Sequence, residues 1–138
     1  MAKVLYTAKA LSTGAREGHA ETDDKNLVVD FSAPGSGKPG TNPEQLFACG
    51  YAACYGGALA YMARQQKLDI GVPTIHSEVA LNQDDNGFFI SAVLDVQLPN
   101  LDAAQAEALA RAAHAFCPYS KATKGNIDVV LKLNGKAL

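Results

Sequence analysis

The sequence predicts an α+β fold with mainly antiparallel sheet, and three features of its apolar pattern support this class. Residues 43–67 repeat apolar side chains every three or four positions, which is typical of one face of a long helix. Residues 73–81 and 88–98 alternate apolar and polar side chains around an Asp-Asn-Gly turn signal, which predicts a hairpin. With a second helical pattern and a closing strand, the order is ββ, helix, ββ, helix, β.

Length and composition limit the possible functions. The 138 residues, of which 48% are apolar, fit a single domain over 1–138. The net charge of −2 and the lack of a Lys/Arg cluster argue against nucleic acid or a membrane as partner. We find neither a signal peptide nor the roughly 18 apolar residues of a membrane span. Three cysteines, an odd count, favour reduced thiols, so we predict a cytoplasmic protein.

Two short strands are predicted before the long helix, at Lys3–Ala10 and Leu27–Phe31. The polar segment between them contains Arg16. A loop arginine is normally solvated, so the residues alone assign it no role. The Pro/Gly-rich segment 33–41 is interpreted as a flexible approach to the helix.

The start of the long helix is well marked. Asn42 or Thr41 can cap it, Pro43 suits an early helical position, and Thr41 with Glu44 has the spacing of a capping box. Three internal glycines each cost about 1 kcal/mol relative to alanine, which indicates either close packing or room for a ligand beside Cys54. The predicted inward face consists of Leu46, Phe47, Gly50, Tyr51, Cys54, Gly57, Ala58 and Tyr61.

The second half of the chain supplies the remaining core. A second helix is predicted to begin at Asn100 or Asp102 and to end at Pro118. Its buried side is predicted to hold Leu101, Ala104, Leu109, Ala112 and Phe116. The inner face of the second hairpin strand is predicted to hold Phe88, Ile90, Ala92, Leu94, Val96 and Leu98. The closing strand alternates at Ile127, Val129, Leu131 and Leu133.

The cysteines do not follow a short-range motif. Cys54 and Cys117 are 63 positions apart, which matches neither a CxxC redox pair nor a zinc ribbon, so only the fold could unite them. Cys49 lies about 140° around the helix from Cys54 and is interpreted as a small buried side chain. Cys117, at a helix C-terminus, is a poor first nucleophile, and Cys54 would need a nearby cation such as an arginine to react.

The histidines give only weak indications of a site. His114 lies three residues before Cys117, a spacing that permits a Cys–His nucleophile or half of a metal site. His76 has no cysteine or histidine at ligand spacing and is interpreted as structural. We therefore predict no metal site.

Three motifs occur in this order: Asn-Pro-Glu-Gln-Leu-Phe at 42–47, Gly-Tyr-Ala-Ala-Cys at 50–54, and Cys-Pro-Tyr-Ser-Lys-Ala-Thr-Lys-Gly-Asn-Ile-Asp-Val at 117–129. In order and spacing they resemble the organic hydroperoxide resistance proteins of the Ohr/OsmC superfamily, and the resemblance covers essentially the whole chain. It implies an OsmC-like intertwined homodimer whose mainly antiparallel sheets enclose central helices. Cys49 departs from the family pattern, in which we expect a small residue such as alanine.

The resemblance also implies a role for four residues. Cys54 corresponds to the peroxidatic cysteine, Cys117 to the resolving cysteine, Arg16 to the catalytic arginine and Glu44 to its acidic partner. The implied activity is reduction of organic hydroperoxides by a thiol peroxidase that binds no cofactor and draws electrons from dihydrolipoamide or a lipoylated protein. Two alternatives remain: a redox-sensing binding module that uses the same disulfide without turnover, and a structural or small-ligand-binding domain with inert cysteines.

The residues around Cys54 suggest the kind of substrate. Phe47, Tyr51 and Tyr55 are candidate substrate-binding residues, and no polar cluster near them would hold a small hydrophilic peroxide. We therefore expect bulky organic hydroperoxides to be preferred over hydrogen peroxide.

Helix length raises a question about Glu44. In one unbroken helix it lies ten residues, or about 15 Å along the axis, from Cys54. An arginine that contacts both must stretch between them, meet a Glu44 displaced by a break near Gly50, or take its acidic partner from a second subunit. We favour the second subunit, because a symmetric dimer would also cover the Gly/Ala surface of the helix.

Overall fold

The computed structural model describes all 138 residues. It contains seven strands and three α-helices, with one turn of 3-10 helix at Ala15–Glu17. The strands are β1 (Ala10–Thr13), β2 (His19–Thr22), β3 (Val28–Asp30), β4 (Thr74–Asp84), β5 (Gly87–Gln97), β6 (Val129–Leu133) and β7 (Lys136–Ala137). The helices are α1 (Pro43–Gln65), α2 (Ala103–Phe116) and α3 (Pro118–Thr123).

The chain divides into two compact units, Met1–Leu46 and Phe47–Leu138. The N-terminal unit holds an antiparallel sheet in the order β1-β2-β3 and the first residues of α1. The C-terminal unit holds the sheet β4-β5-β6-β7, in which only the β5–β6 pair is parallel. The predicted α+β class with mainly antiparallel sheets is therefore confirmed. A single domain over 1–138 stays a prediction.

The first predicted strand was misplaced. Residues 3–9 are outside regular structure, and β1 begins only at Ala10, which pairs with Thr22. The Asp23 N–H still donates to the Lys9 carbonyl at 3.0 Å, but the chain turns there, with the Lys25 N–H donating to the Thr22 carbonyl, so residues 3–8 have no neighbouring strand. Part of the segment interpreted as a polar connection instead forms β2, whereas the prediction at Leu27–Phe31 is confirmed by β3.

Helix α1 begins as predicted at Asn42, whose Oδ1 accepts a hydrogen bond from the Gln45 N–H at 2.9 Å. The predicted capping box does not form, because the Thr41 hydroxyl donates to the Gln45 side chain instead. The buried face is also rotated from the prediction, since Gly57 and Tyr61 are exposed. The buried residues of α1 are Tyr51, Tyr55, Ala58, Leu59 and Ala63.

In length and hydropathy α1 could cross a membrane, which we did not expect from the sequence. The central helix of a soluble protein can have the same composition, because its apolar face is covered by its own domain. Tyr51, Tyr55 and Leu59 of α1 are fully buried in the core of the C-terminal unit, whereas only 28% of the most apolar stretch of α1 is buried in this chain. The cytoplasmic location stays a prediction.

In the C-terminal unit, β4 and β5 form the predicted hairpin, closed at Gly87 with φ +119°. Asp102 caps α2 by accepting from the Gln105 N–H at 2.8 Å.

Ala104, Phe116 and Phe88 are exposed, contrary to prediction. The buried face of α2 is instead Ala106, Leu109, Ala110 and Ala113, which follows the i, i+3, i+4, i+7 pattern. The buried face of β5 and the residue after it holds Ala92, Leu94, Val96 and Leu98.

Candidate active site

The core of the C-terminal unit brings two cysteines together. Cys54 lies on α1 and Cys117 between α2 and α3, and the Cys117 thiol donates to the Cys54 sulfur with the sulfur atoms 3.5 Å apart. Cys117 is fully buried and Cys54 partly buried. Cys49 is exposed, so our interpretation of it as a buried side chain was wrong: it lies on the face of α1 turned away from this core. Sequence spacing alone could not have paired Cys54 with Cys117.

Cys117 stands at the junction of two helices. Its N–H donates to the Ala113 carbonyl at 2.9 Å, which closes α2 as predicted. Its backbone then leaves the helical conformation at ψ 126°, and Pro118 begins the short helix α3. We missed α3 in the sequence, although a proline at the first helical position is a recognised start signal.

Two opposing influences act on the Cys54 thiol. Burial raises its pKa, because a thiolate loses hydration there, and the neighbouring Cys117 raises it further. The backbone N–H of Tyr119 acts in the opposite direction by donating toward the sulfur. Since the net effect is a raised pKa, the groups of the C-terminal unit do not by themselves favour the thiolate. A reactive Cys54 therefore needs further positive charge.

Tyr119, which we did not identify from the sequence, packs beside the cysteines. Its ring centroid lies 5.9 Å from that of Phe47 and 5.7 Å from that of Tyr51. A Cβ atom on Gly50 would lie 2.9 Å from the Tyr119 hydroxyl, so glycine makes room for this ring. Of the two interpretations of the helix glycines, close packing holds at Gly50.

The two candidate substrate-binding tyrosines are fully buried. The Tyr51 hydroxyl lies 2.9 Å from Ser120 Oγ and 3.2 Å from Thr123 Oγ1, while the Tyr55 hydroxyl donates to the Ala110 carbonyl at 2.8 Å. Burial raises the pKa of Tyr55 well above its usual value. A direct substrate contact by either tyrosine would require this packing to open. The third candidate, Phe47, is only partly buried.

The N-terminal unit contains the predicted arginine–carboxylate pair. Arg16 donates from both terminal nitrogens to Glu44, with distances of 3.0 Å to Oε2 and 2.7 Å to Oε1. These hydrogen bonds lower the pKa of Glu44 and raise that of Arg16. The Arg16 side chain is 52% exposed, and only two of its five N–H donors are used here, so three remain for another anion or substrate.

Two glycines shape the turn that carries Arg16. Gly14 adopts φ +84°, and a Cβ on Gly18 would lie 1.9 Å from the Thr13 carbonyl oxygen. The tight loop between β1 and β2 thus requires glycine at both ends, and its 3-10 turn presents Arg16 to the first turn of α1. The spacing Gly-Ala-Arg-Glu-Gly was the sequence signal for this arrangement.

Within this single chain the acidic partner of Arg16 is Glu44 of the same chain, and our preference for a partner from a second subunit stays a prediction. Arg16 pairs with Glu44 of its own chain, because the glycine-bounded loop brings it to the start of α1. Helix α1 is also continuous from Pro43 to Gln65, so no break near Gly50 displaces Glu44. The structure thus forms two pairs, Arg16 with Glu44 and Cys54 with Cys117. Their convergence at one site stays a prediction.

His114 belongs to a polar network. Its Nδ1 lies 2.8 Å from Ser120 Oγ, and burial lowers its pKa. Both residues line a cavity of about 460 Å³ beside α3. No group of three or more His, Cys, Asp or Glu side chains in the structure could hold a metal ion.

Comparison with known proteins identifies the family. The family model of OsmC-like proteins matches residues 35–132. A curated organic hydroperoxide resistance protein of Xanthomonas axonopodis pv. citri is 50% identical over 95% of this chain and 96% of its own length. The chain belongs to the organic hydroperoxide resistance proteins of the OsmC-like family.

Solved structures of this family share the fold. The organic hydroperoxide resistance protein OhrB of Bacillus subtilis is 48% identical, with a TM-score of 0.89 over 94% of this chain and 99% of that chain. A Vibrio cholerae protein described with captopril bound in one of its active sites is 38% identical, with a TM-score of 0.92 over 99% and 96% of the two chains. The described α+β architecture is therefore that of organic hydroperoxide resistance proteins.

Proposed function

We propose that this protein is a cysteine-based peroxidase that reduces organic hydroperoxides to alcohols. The observation that carries the proposal is the 3.5 Å separation of the Cys54 and Cys117 sulfur atoms inside a protein core. Two thiols so placed can form a disulfide after a small movement. The relatives' names, which specify resistance to organic hydroperoxides, supply the class of oxidant.

The proposed reaction has two steps on the protein. The Cys54 thiolate attacks the hydroperoxide, the O–O bond breaks, and the OH group transfers to sulfur to give a sulfenic acid, while the alkoxide takes up the proton that the Cys54 thiol released on ionisation and leaves as the alcohol. Cys117 then attacks the Cys54 sulfur, the S–O bond breaks, and hydroxide leaves with the thiol proton as water. The disulfide protects Cys54 from further oxidation. The fully buried Cys117 suits this second step, because it meets no other oxidant first.

Arg16 and Glu44 are proposed to support the first step. A partly buried Cys54 with a raised pKa needs a cation to hold it as thiolate, and the guanidinium of Arg16 has unused donors that could also orient a peroxide. Glu44 would hold the guanidinium in one orientation through its bidentate contact.

The electron donor is proposed to be a lipoyl dithiol, either dihydrolipoamide or a lipoylated protein. A dithiol reopens the Cys54–Cys117 disulfide by two exchanges: the first forms a mixed disulfide, and the second thiol of the donor then displaces the protein sulfur. This leaves both protein cysteines reduced and the donor as a cyclic disulfide.

A homodimer is proposed as the working form. In the N-terminal unit, Val4 and Leu5 are 80% and 87% exposed, and in the C-terminal unit the small side chains of Cys49, Ala53 and Gly57 form an exposed stripe on α1. A second copy would cover such surfaces. Sedimentation measurements test this, and a chain that stays monomeric at micromolar concentration contradicts it.

Steady-state turnover tests the proposed activity. We expect many equivalents of an alkyl hydroperoxide to be consumed per protein with dihydrolipoamide as donor, and kcat/KM to be higher than with hydrogen peroxide, because Phe47 and its aromatic neighbours favour an apolar substrate. Equal or better kcat/KM with hydrogen peroxide contradicts the preference. Consumption of a single equivalent would indicate a redox-sensing module instead.

A further inference from the structure

A hydrogen-bonded group of side chains joins the two segments of chain that carry the cysteines. Tyr51 precedes Cys54 by three residues and Ser120 follows Cys117 by three, and the Tyr51 hydroxyl bonds both Ser120 at 2.9 Å and Thr123 at 3.2 Å. We call these three side chains the tyrosine clamp. It joins the cysteine-bearing part of α1 to α3, the helix that begins immediately after Cys117.

The tyrosine clamp is buried and fully hydrogen-bonded. Tyr51, Ser120 and Thr123 are 0%, 4% and 3% exposed, and the structure leaves no buried side-chain polar atom without a partner. Thr123 also donates to the Ser120 carbonyl at 3.1 Å, and Ser120 meets the His114 ring. Removing the Tyr51 hydroxyl takes one hydrogen-bond partner from each of two hydroxyl groups that are 4% and 3% exposed, which costs free energy and so favours the present geometry of the network.

The second step of the proposed reaction depends on that geometry. Sulfur atoms 3.5 Å apart must approach by about 1.5 Å to reach the length of a disulfide bond, which is about 2.05 Å. Such an approach is short only if α1 and α3 keep their present spacing. A misplacement of about 1 Å can slow a reaction by as much as about a hundredfold.

We propose that the tyrosine clamp positions Cys117 for attack on the Cys54 sulfenic acid, and so sets the rate of disulfide formation. This inference rests on the proposed function. In the step that it governs, the Cys117 sulfur bonds to the Cys54 sulfur, the S–O bond breaks, and the thiol proton leaves with hydroxide as water. The side chains of the clamp form no hydrogen bond to either sulfur atom, so they are positioning residues.

The two steps should respond differently to loss of the clamp. Hydroperoxide reduction requires Cys54 but not Cys117, whereas disulfide formation requires that the two sulfur atoms be correctly positioned relative to each other. A general loss of structure would slow both steps. Loss of the clamp should instead lengthen the lifetime of the sulfenic acid and increase its conversion to sulfinic acid in excess hydroperoxide.

Tyr51→Phe compared with Tyr55→Phe tests the proposal. Both tyrosines are fully buried on α1, but the Tyr55 hydroxyl bonds Ala110 in α2 rather than α3. Rapid mixing with an alkyl hydroperoxide, followed by mass spectrometry, gives the rate of each step in each variant, and thermal unfolding gives the loss of stability. We expect Tyr51→Phe to slow disulfide formation by about tenfold or more, and Tyr55→Phe to slow it much less.

Equal slowing of disulfide formation by the two variants, or equal slowing of both steps by Tyr51→Phe, would overturn the inference. If Tyr51→Phe does not fold, Thr123→Val and Ser120→Ala each remove one of the two Tyr51 hydrogen bonds, and at least one must slow the same step. Wild-type protein that forms a disulfide with hydroperoxide supports the proposed function whatever the variants do. Wild type that forms none overturns both.

Discussion

The two residue pairs that were predicted to be functional are built in opposite ways. Arg16 and Glu44 meet across a short loop in the N-terminal unit, with the arginine side chain 52% exposed. Cys54 and Cys117 meet in the C-terminal unit, where Cys117 is fully buried and Cys54 is partly buried. The ion pair is held by two charge-assisted hydrogen bonds, and the thiol pair by the packing of a core.

This difference determines how each pair can be studied. An exposed ion pair contributes little to stability because water and salt screen it. Substitutions there should therefore change the reaction rate more than the stability of the fold. The cysteines lie among well-packed side chains, where a change of volume costs stability as well as activity. Substitutions at the thiol pair must therefore keep the size of the side chain.

The largest effect is expected at the thiol pair, where Cys54→Ser should abolish turnover because serine cannot carry the sulfur chemistry. Cys117→Ser should still reduce one equivalent of hydroperoxide and then accumulate sulfinic acid at Cys54, since nothing resolves the sulfenic acid. Mass spectrometry of the oxidised proteins, with turnover measured in parallel, separates these outcomes.

Cys49→Ala is the control for this experiment, because Cys49 is exposed and forms no hydrogen bond with the other two cysteines. It should retain turnover. Full dihydrolipoamide-dependent turnover in Cys117→Ser would show that Cys117 is not the resolving cysteine. A loss in Cys49→Ala as severe as in Cys54→Ser would show that the wrong thiol has been identified.

A smaller effect is expected at the ion pair. Glu44→Gln removes the carboxylate that orients Arg16, so we expect the second-order rate constant with an alkyl hydroperoxide to fall by about tenfold at pH 7. Glu17→Gln is the matched control: Glu17 follows Arg16 directly but forms no ion pair. An unchanged rate constant in Glu44→Gln would contradict a role for this pair.

The pH dependence follows from the pKa of Glu44, which Arg16 lowers. A carboxyl group with a depressed pKa in the folded protein contributes its stabilisation above its usual pKa and loses it as pH falls through the depressed value. The ion pair should therefore survive to a pH below the usual range of glutamate. In stopped-flow measurements, the rate constant of the wild type should fall at acid pH as Glu44 becomes protonated. Glu44→Gln should lack this fall.

The contrast between the pairs also explains what the sequence could predict. The Asn42 cap and the helix end at Pro118 depend on neighbouring residues, and both were correctly predicted. The Tyr51–Ser120 bond joins residues 69 positions apart and has no local signal. Cys54 and Cys117 could be paired only through resemblance to the family, because their contact results from the packing of α1 against residues that follow α2.

The smallest expected effect concerns the packing beside the thiol pair, and it compares two glycines of α1. A Cβ on Gly56 would meet only Ile75 at an ordinary distance of 3.7 Å, so Gly56→Ala should raise the free energy of unfolding by up to about 1 kcal/mol through helix propensity. A Cβ on Gly50 would lie 2.9 Å from the Tyr119 hydroxyl and 3.4 Å from its ring, so Gly50→Ala must displace that ring.

That displacement should cancel the gain in helix propensity at Gly50, leaving the two variants about 1 kcal/mol apart in chemical denaturation. Because the Tyr119 N–H favours the Cys54 thiolate, a shift of Tyr119 should also raise the pKa of Cys54, which thiol alkylation against pH would measure. Gly56→Ala should leave that pKa unchanged. Equal stabilisation by both substitutions, with no change in the pKa of Cys54, would mean that Tyr119 moves freely and that the thiol pair is held by the core alone.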